Sequence, residues 1–429
     1  FHGALYWPSD DKWSVHVAAS ILHEGDTDLD EYRDLMPEND YTLEQVGGHV
    51  YTVYPIGASL LAVPFVAGCE GLYRTLTDQD IASYLRTYGA GNLERLIASS
   101  LAALSIALLY LILRRHLPLW SALALSLGYG LATSAWSTAA LALWQHTPTL
   151  LLLTLTLWAL DAARDRPKRI QYAGLTVALA LVSRPTNAIA VVLVTAYVAL
   201  CYRRELWRYL AWAAPVAVAF IAYSLAIYGK ILPRYYLMAA IGNTLDPWEG
   251  LAGTLVSPNR GLFIWSPIVL FALYGVYLHL RHHTFGRLEA LLCGAVTLHW
   301  LLIASWVMWW GGYSMGPRFF TDILPYLAFL TIPVAQRLPQ QRVAARVLIG
   351  ALFVASVAWG AMVQHRCATG RGAAEWGATP INVDIAPSRL WDWRDLQFLR
   401  APGDDREVQN GLRVGWWRHF AFDDRIPGK

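Results

Sequence analysis

The stretch RLIASSLAALSIALLYLILRR, residues 95–115, decides the fold. No charge stands between Arg95 and Arg114. As a helix rising 1.5 Å per residue, those eighteen positions reach about 27 Å, close to the thickness of a bilayer's hydrocarbon core. Working outward, comparable apolar runs lie at 118–136, 147–163, 170–183, 187–202, 207–228, 263–280, 288–308, 323–335 and 344–364. The 429 residues are 56% hydrophobic and only 15% charged, against about a quarter charged in soluble domains, which argues against a soluble enzyme. A net charge of +3 is too small to suggest a nucleic-acid partner. Cys69, Cys201, Cys293 and Cys367 share no metal-ligand spacing, so neither a zinc site nor a disulfide framework is expected. The chain starts at Phe1 without Met or signal-peptide pattern, so a further upstream helix is expected. The reading is an all-α polytopic membrane protein with ten to eleven transmembrane helices.

Charge orients the bundle. Arg114-Arg115, the cluster Arg164 to Arg169, Arg203-Arg204 with Arg208, Arg281 with Arg287, and Arg337 with Arg342 and Arg346 supply fourteen Lys and Arg, against Asp165 and Glu205. The positive-inside rule makes all five loops cytoplasmic. Residues 1–51 carry eleven acids and only Lys12 and Arg33, and belong outside. One crossing, 95–113, then separates them from Arg114, so the apolar run 52–74 is expected to lie in the outer interface without crossing. Three regions follow: an outer acidic loop with interfacial helices (1–94), a helix bundle (95–364) and an extracytoplasmic tail (365–429), which is expected to pack on the outer loops.

Polar residues that a membrane makes expensive mark candidate chemistry. Arg184 stands in Ser183-Arg184-Pro185-Thr186 between apolar runs. An unpaired Arg there costs several kcal/mol, so it faces water, an anion or an acid, or snorkels from a tight turn to headgroups. Lys230, Arg234 and Arg260 (in Ser257-Pro258-Asn259-Arg260-Gly261), together with Arg318, are further cations on the expected outer side, suited to phosphate. Trp310 and Tyr313, in the glycine-rich loop 309–322, offer flat faces for a sugar. Arg318 and Asp322 read either as site residues or as a local i, i+4 ion pair. Gln145 and His146 close the acid-free turn 137–146. Asp10-Asp11 precede an amphipathic run, so one of them is expected to cap it; two adjacent acids also raise one pKa towards a general base. Asp26, Asp28, Asp30 and Glu31 form either a solvated acidic surface or a divalent-cation site, with spacing unlike an EF-hand loop.

In order along the chain, Ser9-Asp10-Asp11-Lys12-Trp13-Ser14, Leu29-Asp30-Glu31-Tyr32, Tyr54-Pro55-Ile56-Gly57, Arg184-Pro185-Thr186, Ser257-Pro258-Asn259-Arg260-Gly261-Leu262 and Trp310-Gly311-Gly312 through Gly316-Pro317-Arg318 resemble the GT-C superfamily of membrane glycosyltransferases. The likeness is to bacterial members similar to the protein O-mannosyltransferase and aminoarabinose transferase families, and the tail string Arg389-Leu390-Trp391-Asp392-Trp393 resembles uncharacterised members of that group. The resemblance implies a GT-C-like bundle in the bacterial inner membrane. It implies an enzyme that moves a sugar from a polyprenyl-phosphate donor to a glycan, lipid or protein acceptor on the extracytoplasmic side. The family's general base, an Asp of the first outer loop, matches Asp10 or Asp11; Asp10 keeps the spacing to Lys12-Trp13. Arg184, Arg260, Arg318, Lys230 and Arg234 are then the donor-phosphate candidates, and Gln145, His146, Trp310, Tyr313 and Asp322 the sugar or acceptor candidates. Direct displacement would invert the anomeric centre. A lipid-linked glycan flippase or transporter is the alternative, but such proteins usually carry inverted repeats and midplane sites, which this sequence lacks. A noncatalytic polymer-assembly partner is a second.

Overall fold

The computed structural model describes residue 10 and residues 12–238 and 247–401. Asp11 and Asp246 lie outside the described residues. The helices are α1 (Ser14–His23), α2 (Gly57–Thr77), α3 (Ile81–Tyr88), α4 (Gly91–Arg114), α5 (Leu119–Leu131), α6 (His146–Ala163), α7 (Gln171–Ser183), α8 (Ala188–Cys201), α9 (Leu206–Tyr228), α10 (Arg234–Met238), α11 (Pro247–Val256), α12 (Leu262–Trp265), α13 (Leu270–Arg281), α14 (Arg287–Ala304), α15 (Leu324–Leu330), α16 (Ile332–Arg337), α17 (Val343–Thr369) and α18 (Arg371–Glu375). A two-stranded antiparallel hairpin, β1 (Leu43–Val46) and β2 (His49–Thr52), turns at Gly47-Gly48.

Helix occupies each of the ten apolar runs read from the sequence. Among the described residues five helical segments, Gly91–Arg114, Arg203–Tyr228, Arg287–Ala304, Arg318–Gln340 and Val343–Thr369, are long and apolar enough to cross a membrane, a pattern that fits an integral membrane protein. By that measure the count of ten to eleven spans is not reached. Proline is one reason: it removes a backbone donor and disfavours helix in the residue before it. Pro185 separates α7 from α8, and Pro267 separates α12 from α13. In α9 and α17 the apolar side chains face outward; Val218, Val343 and Val347 are all at least 64% exposed, as is Leu200 at the end of α8. So much apolar surface in water would drive association, whereas lipid accommodates it.

The basic loops gather at one end. Arg115 Nε lies 2.7 Å from Asp161 and its Nη2 2.7 Å from Asp165, Arg164 reaches Glu289 at 3.6 Å, and Arg287 approaches the Cys201 thiol. That end holds the C-terminus of α6 and the N-terminus of α7. His146 and Arg184 stand at the other ends of the same two helices, about 27 Å away along the 18 residues of α6. The four cysteines are free.

The N-terminal segment packs α1 on α2 around Trp13, Val17, Leu29 and Tyr32. Asp10 does not cap α1, and Asp11 lies outside the described residues. Trp13 takes the N-cap position without a side-chain cap bond, and the Asp10 carboxylate is engaged elsewhere. Asp40 fastens the start of α1 instead, accepting from Lys12 Nζ at 2.7 Å, Trp13 Nε1 at 3.2 Å and the Thr42 hydroxyl at 2.7 Å. Burial would raise the Asp40 pKa, but these bonds outweigh it and hold the carboxyl below its ordinary value. At the start of α2, a Cβ on Gly57 would stand 2.2 Å from Ser183 Oγ. Only glycine lets α2 meet the end of α7 so closely, and this contact places Tyr54 beside Arg184's turn.

Burial pushes the His16 imidazole down from 6.5 to about 4, between the rings of Trp13 and Tyr32. An unfolded chain takes up that proton near pH 6.5, whereas the folded one refuses it until about pH 4. Stability therefore falls as pH drops through this window, by on the order of 3 kcal/mol. Thermal melts of wild type and His16→Leu in detergent, at pH 7.5 and pH 5, test this: the variant's drop should be distinctly smaller, and equal drops would contradict it.

Candidate functional site

Pro185 ends α7 and sets Arg184 in extended backbone (φ −159°, ψ 124°), which turns its side chain out of the helix register. The Asn187 amide donates to the Ala180 carbonyl at 2.9 Å and satisfies part of the open helix end. Across from it, His146 begins α6, whose entry is pinned by Thr147 Oγ1 donating to the Ala139 and Ala142 carbonyls, both at 2.9 Å. The third wall is the turn Arg318–Ile323. Here Gly311 has φ 76°, a left-handed conformation, and a Cβ on it would come within 2.8 Å of Arg318 Nε.

These walls enclose a cavity of about 90 Å³, lined by Asp10, Trp144, Gln145, His146, Arg184, Pro185, Thr186, Tyr235, Trp306, Arg318 and Phe319. It has room for about three waters. At its floor Arg184 Nη1 donates to Asp322 Oδ2 and also meets His146 Nδ1, while His146 Nδ1 lies 2.8 Å from Asp322 Oδ1. All three are buried, Asp322 completely. At its rim Tyr54 Oη donates to Asp10 Oδ1 at 2.8 Å, and Arg318 Nη1 sits 3.8 Å from Asp10 Oδ2. The Arg318 guanidinium lies over the Trp144 and Phe319 rings, and its buried Nε has no hydrogen-bond partner among the described residues. Gln145 Nε2 donates to Tyr235 Oη at 2.9 Å, and the Tyr235 ring packs edge-on against Tyr54.

The four formal charges cancel: Arg184 against Asp322, Arg318 against Asp10. Arg318 keeps unused donors beside a half-open carboxylate, and of Arg184's nitrogens only Nη1 is bonded among the described residues. The cavity can thus receive one anion at the guanidinium groups and one hydroxyl at the Asp10 carboxylate. No family model, no curated protein and no solved structure matches the chain.

The structure brings Asp10, Gln145, His146, Arg184 and Arg318 to one cavity, with Asp322 directly behind His146 and Arg184. It does not bring the other sequence candidates there. Arg260 is buried and spent on the chain: its Nε donates to the Trp310 carbonyl at 2.8 Å, Nη2 to the Gly312 carbonyl at 3.0 Å, and Nη1 to the Asn259 carbonyl and Gln397 Oε1, both at 2.6 Å. It is a clamp between the loop 309–322 and the tail, with four of its five donors spent on the chain. Trp310 donates to Asp384 Oδ1 at 2.7 Å within an apolar cluster with Trp376, and Tyr313 accepts from the Asn382 amide, so both rings serve the tail contact rather than the cavity. Lys230 lines a separate apolar groove with Leu225 and Leu237, and Arg234 is exposed near Glu44. Asp322 makes no ion pair with Arg318; it pairs with Arg184.

Among the acids of the N-terminal segment, one oxygen or nitrogen each from Asp28, Asp30 and His49 lies within 4.8 Å of the others. Asp30 already accepts from Arg33, His49 and the Val50 amide, so the group ties the hairpin to the turn before it. Sequence reading missed Trp144, Trp306 and Phe319 as cavity walls, and also Tyr235, next to Arg234, which does not line the cavity; the pair Tyr235-Tyr236 was the available signal.

Removing one member of a buried ion pair strands the other, at a cost of about 3–5 kcal/mol. Asp322→Ala should therefore lower thermal stability far more than Glu375→Ala, which opens the exposed Arg371 pair at 2.6 Å and costs well under 1 kcal/mol. Equal melting temperatures for the two variants would show that the Arg184–Asp322 contact does not carry the turn.

Proposed function

We propose that the chain is a GT-C-type glycosyltransferase of the bacterial inner membrane, with about ten crossings and its cavity on the extracytoplasmic side. It moves a sugar from polyprenyl phosphate to an acceptor hydroxyl with inversion. The observation that carries this reading is the single cavity in which the Asp10 carboxylate stands 3.8 Å from Arg318, with Arg184 on the facing wall. Its position at the end of the bundle away from the basic loops supports the outer side.

In the proposed reaction the acceptor oxygen attacks the anomeric carbon, the bond from that carbon to the phosphate oxygen breaks, and the hydroxyl proton passes to Asp10. Tyr54 holds Oδ1 of that carboxylate, leaving Oδ2 to take the proton. The donor phosphodiester carries one negative charge and the departing lipid phosphate carries two. The proton gained by Asp10 offsets the difference, so the total charge in the cavity stays constant. Arg318 and Arg184 stabilise the charge that grows on the phosphate, where fixed donors in a dry site are most effective. The isoprenoid tail remains in lipid.

Purified protein given polyprenyl-phosphate sugar and membrane extract should form a glycosylated product. Asp10→Asn should cut turnover by roughly 10²–10⁴-fold, and Arg318→Ala by roughly 10²–10³-fold. Wild-type rates in both variants would overturn the site. Movement of the lipid-linked sugar across the membrane without a new glycosidic bond would favour the transporter instead.

A further inference from the structure

Thr186 is 4% exposed and lines the cavity, yet its Oγ1 has no hydrogen-bond partner among the described residues. Three buried hydroxyls on the neighbouring helices α6 and α7 bond back to the carbonyl four residues earlier: Thr154 to Leu150 at 2.6 Å, Thr156 to Leu152 at 2.8 Å and Ser183 to Leu179 at 2.9 Å. Thr186 has no such recourse. The extended backbone at Arg184 breaks the helix between Thr186 and Val182, and the Val182 carbonyl accepts from Tyr236 Oη at 2.6 Å. A buried hydroxyl without a partner is costly, and the open space beside this one is the cavity. Its hydrogen rotates to suit whichever acceptor arrives there.

The surroundings decide what that acceptor is. The turn Pro185–Asn187 and α8 form one helical run, Pro185–Cys201, and its first two residues both line the cavity. First-turn N–H groups have no partner within a helix, and the helix dipole favours negative charge at that end. Arg184 stands immediately before this run, and Arg318 lines the same cavity. A phosphate gains from the helix end and from both guanidinium groups; a neutral sugar hydroxyl gains little from either. Resting on the glycosyltransferase reading, we infer that the donor phosphate seats at the N-terminus of Pro185–Cys201, where the Thr186 hydroxyl donates to one of its non-bridging oxygens beside Arg184. Thr186 thus adds a hydrogen bond without adding charge, and the bond strengthens as negative charge grows on the departing phosphate. Asp10, on the facing wall, is left to the acceptor.

Thr186→Val removes the hydroxyl and keeps the shape of the side chain. No bond within the free protein is lost, so its melting temperature in detergent should equal or exceed that of wild type. Its affinity for undecaprenyl phosphate should fall roughly tenfold or more. Affinity for undecaprenol, which has the same tail and no phosphate, should not change, and Thr186→Ser should bind undecaprenyl phosphate as wild type does. Wild-type affinity for undecaprenyl phosphate in Thr186→Val, an equal loss for undecaprenol, or a lowered melting temperature would overturn the inference while leaving the glycosyltransferase reading intact. A loss confined to the hexose-loaded lipid would assign the hydroxyl to the sugar and overturn it as well. Failure of the wild-type protein to bind either undecaprenyl phosphate or its hexose derivative would instead overturn that reading, and this inference with it.

Discussion

The contact between Arg184 and Asp322 is the constraint on which the rest of the cavity depends. Neither charge is tolerable alone in a buried, largely apolar bundle, and each has its partner on an element distant in sequence. Their pairing ties the end of α7 to the turn before α15, and His146 adds the start of α6. Three chain segments are thereby locked at one end of the bundle. Arg318, four residues before Asp322, is carried to the cavity rim by the same turn.

That turn explains why one sequence reading failed. Spacing of i, i+4 makes neighbours on an α-helix, but Arg318–Ile323 is a 3₁₀ turn with about three residues per turn, so residues four apart point to different sides. Asp322 is released to Arg184 and Arg318 to Asp10. Two of the arginines, Arg260 and Arg318, could not be told apart in sequence. Arg260 and Arg318 both follow a proline within a glycine-containing loop that leads into helix; only the folded chain aims the Trp310 and Gly312 carbonyls at Arg260 and leaves Arg318 Nε without a partner among the described residues. Arg184 was legible because it stands between two apolar runs, where a charge must find water, an anion or an acid.

The helical segments themselves were legible, since lipid-thickness apolar runs between basic clusters leave few other choices. How many of them cross was not, because Pro185, Pro267 and the short α5 divide the runs into pieces below the usual crossing length. The motif Asp10-Asp11-Lys12-Trp13 divides its labour in a way that spacing does not reveal. Lys12 and Trp13 bind Asp40 and moor the segment, and Asp10 is held at the cavity by Tyr54, 44 residues along the chain.

A cavity with two unsaturated guanidinium groups and a carboxylate has separate places for an anion and for a hydroxyl, which is what the proposed transferase requires. The most direct test is a cryo-electron microscopy structure of the protein in lipid nanodiscs with undecaprenyl phosphate. The account expects phosphate density within hydrogen-bonding distance of Arg318 and Arg184, with Asp10 at its edge. Phosphate bound instead at the opposite end, beside Arg115 and Arg164, would contradict it.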